Sequence, residues 1–498
     1  MLLDWVAHRA ATMPDHPGLV ASGRSWSYRT LDDAVSRVSA TLYRQGVREG
    51  DRVAALLRNG AAPALLLHAS LRLGAVLVPL NVRLGHAELA WQLEDAGVRL
   101  LVADATTHAA AEHARHGLDA IVLLVLDAEQ LEEQGDTSAD VPQRRMHSAD
   151  ATLAIIHTSG TTGRPKGAML TVGNWWWSAV GSALNLGVHA DDRWLACLPL
   201  FHVGGLAILV RCAIYGTTAV VHDDFDAARV NQAIDDDGIT TVSVVAVMLE
   251  RMLDERGDRP YPSSLRCVLL GGGPASLALL ERCASLGVPV IQSYGLTETT
   301  SQVATLSPRD ALSRPGSAGR ALYPNELRIV RGDGSRADAG EPGEILVRGP
   351  VVTPGYTGRS EQAVHAIREG WLHTGDVGQV DADGFLYVLD RRDDLIVTGG
   401  ENVYPAEVEA ALASHRSIAE AAVVGVADST WGQRVVAVIR LTDGFTSSSL
   451  LEEALRAHCR ERLAGYKTPG RFVIVSDSLL RTASGKLRRG AIRERLLG

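Results

Sequence analysis

Cysteine is scarce in this 498-residue chain: Cys197, Cys212, Cys267, Cys283 and Cys459 are odd in number, widely spaced and free of any CxxC or Cys/His grouping. That argues against a disulfide framework and a zinc site, and it favours a reducing compartment. Long apolar runs are missing too. The most apolar stretch, Ala54 to Leu80, is interrupted by Arg58, Asn59, His68 and Arg72, and the N-terminus shows no basic segment followed by an apolar core and a cleavage site. Neither a membrane span nor a secretory leader is expected, and the protein reads as cytoplasmic. Positive charge is in deficit, with 49 Lys and Arg against 58 Asp and Glu for a formal charge of -9, and it is scattered along the chain. A dedicated nucleic-acid surface is therefore not expected, and any anionic partner must be held locally.

What is present suits a large globular protein. Apolar residues make up 46% and charged residues 21%, enough for buried cores, and the length calls for at least two domains. Short apolar runs such as Val53 to Leu57, Leu100 to Ala103, Ala154 to Ile156, Cys267 to Leu270 and Val288 to Ile291 alternate with stretches of helical periodicity, the pattern of parallel sheets covered by helices. After about Pro315, Gly-rich turns separate β-rich runs, Glu344 to Val347 and Phe385 to Leu389, which predicts antiparallel strands of a meander or barrel. Beyond the charged cluster Asp390 to Asp394 a compact α+β pattern follows: helix Pro405 to Ser414, strands Ala421 to Gly425 and Val435 to Leu441, helix Ser448 to Leu463. The expected fold class is α/β. A large N-terminal domain (1–389) of two parallel-sheet subdomains and a small β-barrel subdomain is followed by a hinge (390–394) and a smaller α+β C-terminal domain (395–498). Low order is expected at Glu129 to Arg145 and Gly332 to Gly340.

The densest chemical signal is the run Thr158, Ser159, Gly160, Thr161, Thr162, Gly163, Arg164, Pro165, Lys166, Gly167, which follows an apolar strand. Its glycines let backbone N–H groups converge, its hydroxyls add donors and Lys166 adds charge, which is what a polyphosphate needs. It is not a Walker A loop, because Pro165 stands where that spacing from Gly160 requires glycine. The alternative is an ordinary solvated turn.

This run resembles the phosphate-binding signature of the adenylate-forming superfamily of acyl-CoA synthetases, adenylation domains and luciferases. The likeness continues in order through Pro199 to Val203, Ser293 to Thr299, Thr374 to Asp376, Asp390 to Gly400 and Arg481 to Lys486. It implies ATP, Mg²⁺ and coenzyme A as the small molecules handled, with a mobile C-terminal domain turning about Asp393. By the same resemblance Glu298 and Thr158 sit on the metal side, and Tyr294, Gly295, Thr297 and Gly272 line the nucleotide. Asp376 and Arg391 would read the ribose, Gly271 borders the acyl region and His202 gates it, and Gly399 and Gly400 frame the thiol channel. The residues alone allow blander readings: Glu298 as a loop charge, Arg391 as a surface ion pair, His202 as a packed core histidine and Lys486 as part of a solvated basic tail. For Lys486 the chemistry argues otherwise, since attack of a carboxylate on a phosphate brings two anions together and a mobile ammonium between them lowers the barrier. Leu480 stands where many relatives carry proline just upstream.

Within the superfamily the chain most resembles 2-succinylbenzoate:CoA ligases of menaquinone synthesis, through Leu170 to Asn174, Gly181 to Gly187, Asp192 to Leu195, Leu269 to Ala275, Gln292 to Gln302 and Gly399 to Pro405. An aromatic acid with a second carboxylate needs polar anchors, and Gln292, Ser293, Ser301, Gln302 and Arg211 are available. Gly204 departs from the serine common in such ligases. The competing expectations are a fatty or simple aryl acid:CoA ligase and a non-catalytic adenylate-binding regulator; a luciferase-like oxygenase would share the adenylation motifs. Oligomeric state is not legible, and a homodimer stays open.

Overall fold

The computed structural model describes residues 1–133, 141–158, 165–273, 275, 277–311, 313, 314, 316–358, 366–390, 396–442, 444–480, 487 and 489–497. The chain divides into two compact units, one of Met1–Val82, Leu93–Ile156 and Gly167–Leu389, the other of Arg83–Gln92, His157–Lys166 and Asp390–Gly498.

Two mostly parallel sheets carry the larger part. In the six-stranded one the order is Lys166–Thr171, Thr152–Thr158, Val76–Pro79, Arg52–Leu56, Leu100–Ala103, Val122–Val125. In the nine-stranded one, Cys267–Leu270 lies between Thr241–Val244 and Val290–Leu296, all parallel. Helices on both faces bury these strands completely, as at Leu100 to Ala103 and Cys267 to Leu270, which is why they read as unbroken apolar runs rather than alternating ones. The parallel run of the larger sheet ends where Ser301–Thr305 doubles back antiparallel on Val290–Leu296.

The Gly-rich region forms a five-stranded antiparallel sheet from Glu326–Val330, Gly343–Arg348, Trp371–Val380, Ile367–Arg368 and Leu386–Asp390. Of the two stretches expected to be of low order, Gly332 to Gly340 is instead built, and Glu129 to Arg145 is described only in part. At Gly332 to Gly340 the turn is held by Arg331, which donates to Glu341 (2.7 Å) and Asp338 (3.0 Å). Within Glu129 to Arg145, a short helix Ala128–Glu133 is started by reciprocal bonds between Asp127 and Gln130, a capping box that the sequence carries as Asp-x-x-Gln; residues 134–140 lie outside the described residues.

In the second unit Ile418–Asp428 and Gly432–Leu441 form a long antiparallel pair, with Arg471–Val475 added in parallel. Helices Pro405–Ala413 and Ser449–Arg460 pack Val408, Leu412, Leu455 and Cys459 onto it. All five thiols are free and buried. Among the described residues no helix is long and apolar enough to cross a membrane.

Candidate active site

The centre of the site in the first unit is the turn after Val290–Leu296. The sheet partner Ser301–Thr305 crosses so closely that a Cβ on Gly295 would lie 1.7 Å from the Ser301 carbonyl oxygen, so only glycine fits there. The chain then makes a single 3-10 turn, Thr297–Thr299, and passes through Thr300 (φ 52°) and Ser301 (φ 83°), both left-handed. Such conformations in residues with side chains persist only where their surroundings hold them. Here Ser178 Oγ donates to the Thr300 carbonyl (2.7 Å), Thr300 Oγ1 to the Val351 carbonyl (2.8 Å) and Thr353 N to the Glu298 carbonyl (2.8 Å). Glu298 thereby stands half-exposed on a fixed turn at the C-terminal end of a parallel strand, where ligands of such sheets gather. Its Oε1 accepts a hydrogen bond from the Tyr356 hydroxyl at 2.9 Å. A carboxylate held this way suits a cation shared with phosphate oxygens.

Asp376, buried at 5% exposure, accepts a bond from the Tyr294 hydroxyl at 2.7 Å. Its backbone is set by Gly375 (φ 70°), whose N–H donates to Glu344 (2.9 Å), while Thr374 Oγ1 donates to the Ile345 carbonyl (2.6 Å) and accepts from Asp376 N (3.1 Å). Tyr294 and Asp376 are thus brought together across 82 residues, and a buried carboxylate oriented in this way can accept from a vicinal diol. Gly271 and Gly272 follow Cys267–Leu270; Gly272 is exposed with φ 76°.

On the acid side, His202 is half-exposed at the N-terminus of helix Val203–Tyr215, its ring edge-on to Phe201 at 4.8 Å between centroids. It is not the enclosed core histidine that the surrounding apolar residues suggest. The two glycines that follow differ: a Cβ at Gly205 would meet the Pro199 carbonyl oxygen at 2.3 Å, whereas one at Gly204 meets only Leu198 Cδ1 at 3.6 Å.

From the same helix comes Arg211, 2% exposed. Its guanidinium donates to Ser178 Oγ (3.2 Å) and lies 5.6 Å from the Trp194 ring centroid. Its Nε has no partner, and among the described residues no carboxylate pairs with it; burial pushes its pKa down. A buried cation without a counter-charge is costly unless something anionic arrives. Gln302 is also buried, with neither side-chain polar atom satisfied. Gln292, Ser293 and Ser301 are half-buried nearby on the paired strands, Ser293 Oγ bonding Thr305 Oγ1 at 2.9 Å.

In the second unit Thr158 and Lys166 are half-exposed, and Thr158 Oγ1 donates to the Lys166 carbonyl at 3.4 Å. Gly399 and Gly400 (φ 57° and 81°) make the turn between Ile396–Thr398 and Glu401–Val403. Gly399 N donates to the Trp431 carbonyl (2.8 Å), and a Cβ there would touch the Trp431 ring at 2.8 Å. Ser159, Gly160, Thr161, Thr162, Gly163, Arg391, Asp393 and Lys486 lie outside the described residues. The sequence reading missed Tyr356, Glu344 and Ser178. Nothing local marks them, since each acts on a residue dozens of positions away.

Two family models match the chain, AMP-binding enzyme over residues 6–357 and AMP-binding enzyme C-terminal domain over residues 407–486. A 2-succinylbenzoate–CoA ligase of Geobacillus kaustophilus is 48% identical over 486 residues, covering 98% of this chain and 96% of that protein. The o-succinylbenzoate CoA synthetase of Bacillus subtilis is 41% identical. Its complex with the product analogue OSB-NCoA, a double mutant, superposes with a TM-score of 0.92 and coverage of 99% of each chain. Its complex with ATP and magnesium ion gives a TM-score of 0.73, covering 98% of this chain and 99% of that one. With family models spanning most of its length and near-full-length relatives above 40% identity, the chain belongs to the AMP-binding, adenylate-forming enzyme family.

Proposed function

We propose that this chain is an ATP-dependent 2-succinylbenzoate:CoA ligase, an AMP-forming acid–thiol ligase of menaquinone synthesis. One carboxylate of the acid attacks the α-phosphorus of ATP, the bond to the β-phosphate oxygen breaks and pyrophosphate leaves. The thiol sulfur of coenzyme A then attacks the acyl carbon of the mixed anhydride and AMP leaves as the thioester forms. Near-full-length identity to ligases of this name supports the reading, as does the B. subtilis enzyme solved with OSB-NCoA.

The observation that carries the choice of acid is Arg211, a buried guanidinium with no carboxylate partner among the described residues. Octanoate or benzoate would bring no second charge to it, whereas an acid with a second carboxylate would supply one. Unsatisfied Gln302 adds donors and an acceptor beside the same helices and sheet. On the nucleotide side Asp376, oriented by Tyr294, reads the ribose hydroxyls, a role the motif also gives Arg391, and Gly272, Gly295 and Thr297 border the base and phosphates. Glu298 would hold Mg²⁺, for which a carboxylate is a fitting oxygen donor; when bound, the ion would offset charge on the phosphates. Ser159 to Gly163 and Lys166 cradle the phosphates, Lys486 bridges the two reacting anions, and Gly399 and Gly400 leave room for the thiol arm as the C-terminal domain turns about Asp393.

The test is AMP formation by purified protein with ATP, Mg²⁺ and coenzyme A. Turnover of succinylbenzoate with little of octanoate or benzoate is expected, and equal turnover of octanoate refutes the acid assignment. Lys486→Ala is expected to slow pyrophosphate release by about 100- to 1,000-fold. The reading includes a cytoplasmic location, in keeping with five free buried thiols; light scattering decides between a monomer and a homodimer.

A further inference from the structure

The loop that follows Gly343–Arg348 in the first unit does more than connect strands. Its residues Thr353 to Thr357 are hydrogen-bonded along one side to the strand Lys166–Thr171: Thr353 Oγ1 donates to the Met169 carbonyl (2.6 Å), Met169 N to the Gly355 carbonyl (3.0 Å) and Thr357 N to the Gly167 carbonyl (2.7 Å), with Ala168 and Tyr356 in an antiparallel bridge. Thr357 Oγ1 also bonds Asp95. Along the other side, Thr353 N holds the Glu298 carbonyl, and the Tyr356 hydroxyl reaches the Glu298 carboxylate at 2.9 Å. The backbone at Tyr356 is therefore held to the strand Lys166–Thr171 by bonds additional to the one from Thr353 to the Glu298 carbonyl. The phenol gives direction to the Glu298 carboxylate, which sits on a one-turn helix.

We propose that Tyr356 is a positioning residue for the cation: its hydroxyl fixes the rotamer in which Glu298 offers a carboxylate oxygen to Mg²⁺. Hydrogen-bond partners of metal-ligating carboxylates orient the ligand and tune its affinity. Tyr356 packs its ring against the main core, so Tyr356→Phe keeps the packing and removes only the hydroxyl. The inference rests on the reading of Glu298 as the metal-side carboxylate, and the experiment separates the two.

Mn²⁺ binding to the full-length enzyme with ATP and no acid is followed by electron paramagnetic resonance, alongside the Mg²⁺ dependence of pyrophosphate release with acid present. Tyr356→Phe is expected to raise the half-saturating Mn²⁺ and Mg²⁺ concentrations by about tenfold, the lower end for loss of a partner to a metal ligand, with an unchanged melting temperature and an unchanged KM for the acid. In Glu298→Gln the metal dependence weakens, and adding Tyr356→Phe weakens it no further. Wild-type metal affinity in Tyr356→Phe, or losses that multiply in the double variant, overturn the role given to Tyr356 while leaving Glu298 on the metal side. Wild-type metal affinity in Glu298→Gln overturns both.

Discussion

Replacing Arg211 by methionine tests how the acid is chosen. Methionine keeps an unbranched apolar stem and removes the charge, at the cost of a shorter side chain. In the resting protein the guanidinium is 2% exposed and its polar contact is Ser178 Oγ at 3.2 Å. That hydroxyl also donates to the Thr300 carbonyl, so losing arginine leaves no donor stranded. Replacing a buried ionic group by an apolar one is commonly neutral or stabilising, and the melting temperature of Arg211→Met is expected to hold or rise. In the complex the balance reverses, because the second carboxylate of the acid would be buried without a counter-charge. Truncating one partner of a buried charge pair costs about 3 kcal/mol, which is a factor of about 100 to 200. The assay is kcat/KM for pyrophosphate release with succinylbenzoate and with an analogue carrying hydrogen in place of the carboxylate that is not activated. Succinylbenzoate should lose about two orders of magnitude and the analogue less than about threefold. Equal losses on the two acids would assign Arg211 to packing, and no loss on either would remove it from the pocket; each result refutes the argument.

Gly204→Ser should fold as well as the parent and lower the KM for succinylbenzoate, since its Cβ meets only Leu198 at 3.6 Å; Gly205→Ser, aimed at the Pro199 carbonyl, should lower the melting temperature by several degrees, and calorimetry separates the pair. Gly399→Ala, whose Cβ would press on the Trp431 ring at 2.8 Å, should leave pyrophosphate release within about twofold while thioester formation falls by at least about tenfold. Preloading the acyl-adenylate and mixing with coenzyme A measures the second step alone. In the second unit, burial pushes Glu407 up to about 7, with Lys467 opposing the rise and Glu88 adding to it; Lys467 Nζ donates to both carboxylates, at 2.8 and 2.6 Å. The folded protein therefore binds a proton that the unfolded chain releases, so Glu407 lowers stability as pH rises from about 4.5 to about 7. Glu407→Gln should flatten that slope in melting temperatures taken between pH 5 and 8.

Residues proposed for the site from local motifs could be named in the sequence, and the structure describes the surroundings of Glu298, Gly295 and Asp376. Glu298 and Gly295 belong to one short motif, Asp376 to another, and the strands that feed them are apolar enough to read. The strand Val290–Leu296 is instructive because the apolar run stops at Ile291 and the expected strand stopped there as well. It continues through Gln292 and Ser293 because Ser301–Thr305 pairs with it antiparallel, a contact that no periodicity within the run reports. The same limit applies to Tyr356, 58 residues from Glu298, and to Ser178, 122 residues from Thr300. Arg211 could be named as an available anchor, but its lack of a counter-ion is a property of the folded core around it.

The left-handed pair Thr300 and Ser301 shows why the turn is built from hydroxyl residues rather than glycine. Glycine there would relieve about 1–2 kcal/mol of strain per residue, yet it would also remove the bond from Thr300 Oγ1 to the Val351 carbonyl, worth about 1 kcal/mol, and the restriction that the side chain places on the backbone. Strain retained in this way keeps Glu298 in one place before any ligand arrives, which is how electrostatic groups are most effective. The groups on that rigid frame, Glu298, Tyr294, Asp376, His202 and Arg211, all belong to the first unit, whereas Gly399 and Gly400 belong to the second. On the proposed reading, choice of acid and reactivity toward the thiol fall to different residues, so a substitution at Arg211 should change which acid is activated, and one at Gly399 which half of the reaction is slow.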